Sequence, residues 1–311
     1  MALVEVCGVS YHMNTKLKSK WDKLKDGTLA KVDEDRVYIT DGREGCGKSL
    51  FTIQQAAYID PTVIEGNLDR ICFTPEAVLK AIRETKSTKE HTKVIIFDEA
   101  FRGMSSKSAL STVNKQLVQA MMEMRQQNLV LFIVSPSFFL LEMYAAVLRS
   151  EALFHIKKDR KSKKRVFQAF NYKKKAAIYQ IGIKRGWSYP KSTNHRGNFY
   201  NKYPGGDEFE KKYRKKKFDS LKEMDVIKKN EENKKIAKFR EYYHKLVYLV
   251  LKELNLSVRK TSKLLKEYDI NLSPSTVGII FKEIKPIMEG TAKEGGDKIE
   301  VITPVKSVNG V

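Results

Sequence analysis

A chain of 311 residues has material for about two domains and at least one sizeable core, so it needs no covalent or metal staple to fold. Its three cysteines, Cys7, Cys46 and Cys72, are odd in number and have neither CxxC spacing nor a histidine cluster, which excludes a disulfide framework and a zinc site and fits a reducing cytoplasm. The 59 Lys plus Arg against 37 Asp plus Glu leave a formal charge of +22, which favours a polyanionic partner such as nucleic acid.

Residues 1–35 are polar and basic with weak periodicity and no signal-peptide pattern, and read as an N-terminal extension packed on or beside the main domain. From Arg36 short apolar runs alternate with helical stretches, the pattern of an α/β domain with a mainly parallel sheet. The predicted strands are Val37–Thr40, Ile71–Thr74, Val94–Phe97, Leu129–Val134 and Ala152–Ile156. Helices are predicted to begin near Ser49, near Pro75 with Thr74 as cap, near Ser108 and near Ser137. The apolar stretch Leu129–Leu148 is broken by Ser135, Pro136, Ser137 and Glu142, so it reads as strand, turn and helix, and no stable membrane insertion is expected. These elements make a nucleotide-binding core over 36–175.

Lys157–Lys175 then holds ten basic residues against one acid, Asp159. Strand-like pieces at Arg165–Asn171 and Ala176–Ile183 predict a hairpin extension on the sheet, and the charged stretch from Asp207 to Lys238 an exposed helix or linker, so 176–235 is a basic extension and linker. Phe167, Phe170 and Tyr172 among the lysines suit either a strand-tracking surface with stacking or a solvated hairpin with core aromatics.

Gly42-Arg43-Glu44-Gly45-Cys46-Gly47-Lys48-Ser49 matches GxxxxGK[ST], follows an apolar strand and precedes the amphipathic run that opens at Leu50. In such a P-loop, or Walker A motif, glycines turn backbone N–H groups toward phosphate oxygens and the helix N-terminus adds its positive end. Lys48 is expected to reach the β and γ phosphates of ATP and Ser49 to hold Mg²⁺. Lys93–Glu99 is an apolar strand ending in two carboxylates, the Walker B form: Asp98 would support Mg²⁺ and Glu99 would orient or deprotonate the attacking water. The adjacent glutamate points to the P-loop class with an additional strand and a catalytic glutamate. Ser135, at the end of the next strand, either senses the γ phosphate or joins Ser137 in capping a helix at Phe138. Arg102, Arg125 and Arg149 are candidate arginine fingers across a subunit interface, or ordinary surface and salt-bridged arginines.

Four stretches together, the P-loop from Asp41 to Ser49, Phe97–Ala100, Met124–Leu129 and Ser135–Leu141, resemble P-loop ATPases of phages, archaeal viruses and integrated mobile elements. These are distantly similar to zonular-occludens-toxin-like proteins and to FtsK and HerA DNA-pumping ATPases. The resemblance spans residues 36–175 and implies a RecA-like core and a homo-oligomeric motor on DNA, a hexamer being one form, in the host cytoplasm if the chain is viral. That group often carries Gln where this chain has Ser135.

Residues 236–290 read as three short helices, with Ser273-Pro274 opening the third, followed by a loose tail over 291–311. Their spacing predicts an all-α helix-turn-helix domain or a small bundle serving oligomerisation. In the first case Ser273, Ser275, Thr276 and Lys282 lie on or near a recognition helix while Arg259, Lys260 and Lys263 approach phosphates, with duplex DNA favoured over single strands. The reading is a Mg²⁺-ATP-hydrolysing, DNA-stimulated motor or processing protein. Its rivals are an ATP-switched regulator or partition-type protein, a membrane-associated phage-assembly ATPase, and a helicase or loader.

Overall fold

The computed structural model describes residues 1–100, 112–159, 164–190 and 192–289. The predicted helix start near Ser108, Arg102 and the tail over 291–311 lie outside the described residues. The chain divides into two compact units, Met1–Glu223 and Met224–Val311.

The first unit opens with a hairpin of β1 (Ala2–Val6) and β2 (Val9–Met13), followed by α1 (Thr15–Lys25) and α2 (Thr28–Val32). Then come β3 (Arg36–Gly42), α3 (Lys48–Ile59), β4 (Ile71–Cys72), α4 (Pro75–Glu84), β5 (Val94–Phe97), α5 (Thr112–Glu123), β6 (Val130–Ser135), β7 (Ala152–Lys158) and β8 (Arg165–Asn171). α6 (Tyr172–Lys184), β9 (His195–Phe199) and the start of α7 (Gly206–Glu253) complete it. The seven-stranded sheet has the order β4-β5-β6-β3-β7-β8-β9. Its first five strands are parallel; β8 then pairs antiparallel with β7 and β9 antiparallel with β8, so the expected strand Arg165–Asn171 extends the sheet but its added neighbour is β9 and not Ala176–Ile183. β6 stands between β3 and β5, the additional strand of the catalytic-glutamate class.

Successive strand residues point to opposite faces, so each buried strand feeds two cores. Tyr38, Val94, Ile96, Phe132 and Phe154 face the core built with α1, α3 and the β1–β2 hairpin. Val37, Ile39, Ile95, Phe97, Leu131 and Leu153 face the other, built with α4, α5 and α6. The N-terminal segment is therefore part of the core: Trp21 is fully buried among Tyr38, Phe132 and Phe154, with ring centroids at 5.1, 6.0 and 6.1 Å. Weak periodicity hid it, because α1 buries only Leu17, Trp21 and Leu24, one residue per turn.

Two further expectations are corrected. Ala176–Ile183 is helical, lying within α6: Asn171 caps its first turn, accepting from Lys174 N at 3.2 Å. The buried residues Lys175, Ile178 and Gly182 carry a helical period whose first member is a lysine, so apolar pattern alone missed it. No regular helix follows Ser137. A single 3₁₀ turn (Phe138–Leu140) precedes a π-helical turn (Tyr144–Arg149), and Ser137 makes no side-chain cap.

Lys175 explains how that π turn ends. Its ammonium is fully buried and donates to Ala146 O, Val147 O, Ser150 O and Ser150 Oγ at 2.6–2.9 Å, satisfying carbonyls that the helix end leaves free. Burial pushes its pKa down to about 8, partly countered by Glu151. Lys175→Met is expected to cost about 2 kcal/mol, since the buried acceptors lose their donor. Chemical denaturation checks this, and a midpoint unchanged from wild type would show the carbonyls satisfied otherwise.

In the second unit the end of α7, α8 (Val258–Glu267) and α9 (Pro274–Met288) enclose a small core of Val247, Tyr248, Leu251, Val277, Ile280 and Ile284. Ser257 and Ser273 cap α8 and α9, accepting from Lys260 N at 3.4 Å and Thr276 N at 3.1 Å. Among the described residues no helix is long and apolar enough to cross a membrane.

Candidate nucleotide site

The loop from Gly42 to Ser49 leaves the C-terminal end of β3 and turns into α3, with Gly42, Gly45 and Gly47 all at positive φ. Gly42 is required by close approach, because a Cβ there would stand 2.3 Å from the Ile156 carbonyl oxygen of neighbouring β7. Arg43, Glu44 and Gly45 are exposed, whereas Cys46 and Leu50 are buried beneath the loop. Lys48 is folded back on its own loop, donating to Gly42 O at 2.8 Å and Arg43 O at 3.1 Å.

The parallel sheet brings Walker A and Walker B together, since β3 and β5 both end on this edge. Ser49 Oγ lies 3.2 Å from Asp98 Oδ1, which also accepts the Glu99 N–H at 3.1 Å. Glu99 holds φ at +64°, an uncommon conformation for a residue with a side chain and one that clusters at functional positions. A serine hydroxyl facing a nearly buried carboxylate is a pair of hard oxygen donors that fits Mg²⁺.

Asp41, fully buried just before the loop, was not singled out from the sequence. It bonds His155 Nδ1 at 2.8 Å, accepts Phe138 N–H at 2.9 Å and accepts the Tyr189 hydroxyl. The His155 and Tyr189 rings stack at 3.8 Å, and burial together with Asp41 pushes the Tyr189 phenol up, so it stays a donor. This network ties the base of the P-loop to β7, to the turn after β6 and to the chain around residue 189. Beside the loop, Arg165 of β8 lies against Gly47, with Cδ and Nε 3.0 and 3.1 Å from where a Cβ would stand, and it bonds Asn201.

The other predicted site residues lie as follows. Ser135 is buried at the end of β6 beside Asp41, and its hydroxyl donates to Ser137 O at 2.9 Å. Arg149 is ion-paired with Asp35 and donates to Met121 O at 3.0 Å, while Arg125 donates to Asp33 O at 3.0 Å. Asp33 and Asp35 precede β3, so both arginines are held at the sheet end opposite the P-loop, about 20 Å away by strand rise. In the second unit Arg259, Lys260, Lys263, Ser273, Ser275, Thr276 and Lys282 are all exposed.

Two residues on the Walker B acids were missed. Tyr213 of α7 donates its hydroxyl to Asp98 Oδ2, and Lys217 reaches Asp98 Oδ2 at 3.2 Å and Glu99 Oε1 at 2.8 Å. The available signal was Phe209 and Tyr213, two aromatics four apart in a stretch otherwise read as exposed; both are buried.

Strand order, loop and acids define a RecA-like P-loop NTPase core. Neither family models nor curated proteins match the chain. Among solved structures it is similar to the N-terminal domain of zonular occludens toxin from Neisseria meningitidis, at 18% identity over 44% of this chain and 84% of that one, TM-score 0.31. It is also similar to the genome packaging NTPase B204 from Sulfolobus turreted icosahedral virus 2 in complex with sulfate, at 11% identity over 45% and 92%, TM-score 0.30. The fold class rests on the chain's own topology.

Proposed function

We propose that the chain is a Mg²⁺-dependent, ATP-hydrolysing, DNA-associated ATPase of a virus or mobile element, acting as a homo-oligomeric motor or DNA-processing protein in the host cytoplasm. The observation that carries the reading is Ser49 Oγ at 3.2 Å from Asp98 Oδ1, with Lys48 and Glu99 beside them. The loop amides and Lys48 bind the phosphates, Ser49 and Asp98 hold the metal, and Glu99 accepts the proton of the attacking water. Bound Mg²⁺ supplies charge neutralisation at the β and γ phosphates.

The DNA side is supported by α8 and α9, which fit a helix-turn-helix. Val277, Ile280 and Ile284 face inward while Ser275, Thr276 and Lys282 face solvent, and Arg259, Lys260 and Lys263 make a basic face on α8. Steady-state hydrolysis with and without duplex and single-stranded DNA tests the whole reading. Duplex DNA is expected to stimulate wild type severalfold, on the order of fivefold. Lys48→Ala is expected to abolish turnover, and combined Arg259→Ala, Lys260→Ala and Lys263→Ala to lower DNA affinity about tenfold and reduce its salt dependence. Turnover indifferent to DNA, with DNA still bound, would overturn the motor and leave an ATP-switched regulator or partition-type protein.

A further inference from the structure

The two Walker B carboxylates are already engaged from within the chain. Asp98 Oδ1 accepts from Ser49 Oγ and the Glu99 N–H, while Oδ2 accepts from Tyr213 and Lys217. Glu99 Oε1 accepts from the same ammonium at 2.8 Å. Tyr213 and Lys217 are four residues apart, hence on one face of α7. That part of α7 is fastened independently of the acids. Phe209 and Tyr213 are buried, Tyr213 packs on Phe73 and Tyr203 at 5.8 and 6.1 Å, and Lys216 donates to Leu68 O at 2.7 Å.

We propose that Lys217 is a resident counter-ion of the nucleotide site that competes with Mg²⁺ for Asp98 and Glu99, so that metal–nucleotide binding must displace its ammonium. This rests on the ATPase reading above. An ammonium is donor-only, so on these oxygens it occupies the acceptor positions that a metal's water shell requires. A divalent cation held at Ser49 and Asp98 would also stand within a few ångströms of a like charge. Glu99, while bonded to Lys217, has one lone-pair position fewer for a water.

Burial opposes the Lys217 charge, but Asp98 and Glu99 outweigh it and hold its pKa above the ordinary lysine value. The Lys217 side chain leaves the acids by rotation of its flexible four-carbon stem while Phe209 and Tyr213 keep the helix docked. The two acids thus have two arrangements, one with the lysine on them and one with the metal.

The test is calorimetric titration of the full chain with the non-hydrolysable analogue AMPPCP, in Mg²⁺ and in EDTA. The quantity read is the ratio of the two dissociation constants, for wild type, Lys217→Met, Lys217→Arg, Tyr213→Phe and Lys48→Ala. Lys217→Met is expected to raise the affinity gain from Mg²⁺ about tenfold over wild type, the size of one modest charge interaction. Lys217→Arg should stay near wild type because it restores the cation. Tyr213→Phe, which removes only a hydroxyl, should move the ratio the same way as Lys217→Met and by less, and covers the case in which Lys217→Met folds poorly.

An unchanged or smaller ratio in Lys217→Met and Tyr213→Phe would overturn the proposal. So would weaker AMPPCP binding by Lys217→Met in Mg²⁺ and EDTA alike, which is the behaviour of a phosphate-contacting lysine. If wild type fails to bind AMPPCP, or Lys48→Ala binds it equally well, the nucleotide reading itself falls, a pattern distinct from either of those.

Discussion

Glu99→Gln is expected to lower kcat about a thousandfold, roughly 4 kcal/mol of barrier, while leaving nucleotide binding within a few fold of wild type. The carboxylate sits one residue beyond Asp98, and its φ of +64° turns it from the strand direction. Gln keeps the size and an acceptor for Lys217 but has no basicity, so the substitution separates proton abstraction from position. The split between kcat and analogue affinity is the diagnostic. Single-turnover hydrolysis within about threefold of wild type would remove Glu99 from the chemistry, because general-base losses are typically a hundredfold or more.

Trp21→Ala is expected to destabilise the first unit by about 4 kcal/mol and lower its midpoint by about 10 °C. The indole fills the space between α1 and the sheet and touches three strands through Tyr38, Phe132 and Phe154. Its Nε1 donates to Gln55 Oε1 at 2.8 Å, and Gln55 lies in α3, the helix that the P-loop opens. A cavity here loosens the packing behind the P-loop helix, so on the proposed function AMPPCP affinity should fall along with stability. Near-ultraviolet circular dichroism during heating reads the transition. A shift under about 2 °C would mean that α1 is an appendage and not part of the core.

Much of the core was legible because its signals are local. Val94–Phe97 is uninterrupted in its apolar run and appears as β5 with those bounds. Thr74 before Pro75 caps α4 as its residue types require, with Thr74 Oγ1 accepting from Ala77 N at 3.2 Å. α6 was misread because the residue it buries deepest is Lys175, which becomes an inward residue only once four acceptors from another segment surround it. Charge likewise hid Lys217: in a run of lysines, nothing in spacing tells which one meets a carboxylate.

The sequence by itself determined the loop between β3 and α3 and the paired acids after β5, because a glycine loop between strand and helix, and an apolar strand ending in two acids, are short-range patterns whose physics is complete within a few residues. Only the tertiary structure decided what surrounds it. Tyr213 and Lys217 meet Asp98 across 115 and 119 residues, and Asp41 meets Tyr189 across 148. Such contacts depend on how a sheet edge, a helix and a returning loop converge, and local periodicity carries no record of that convergence.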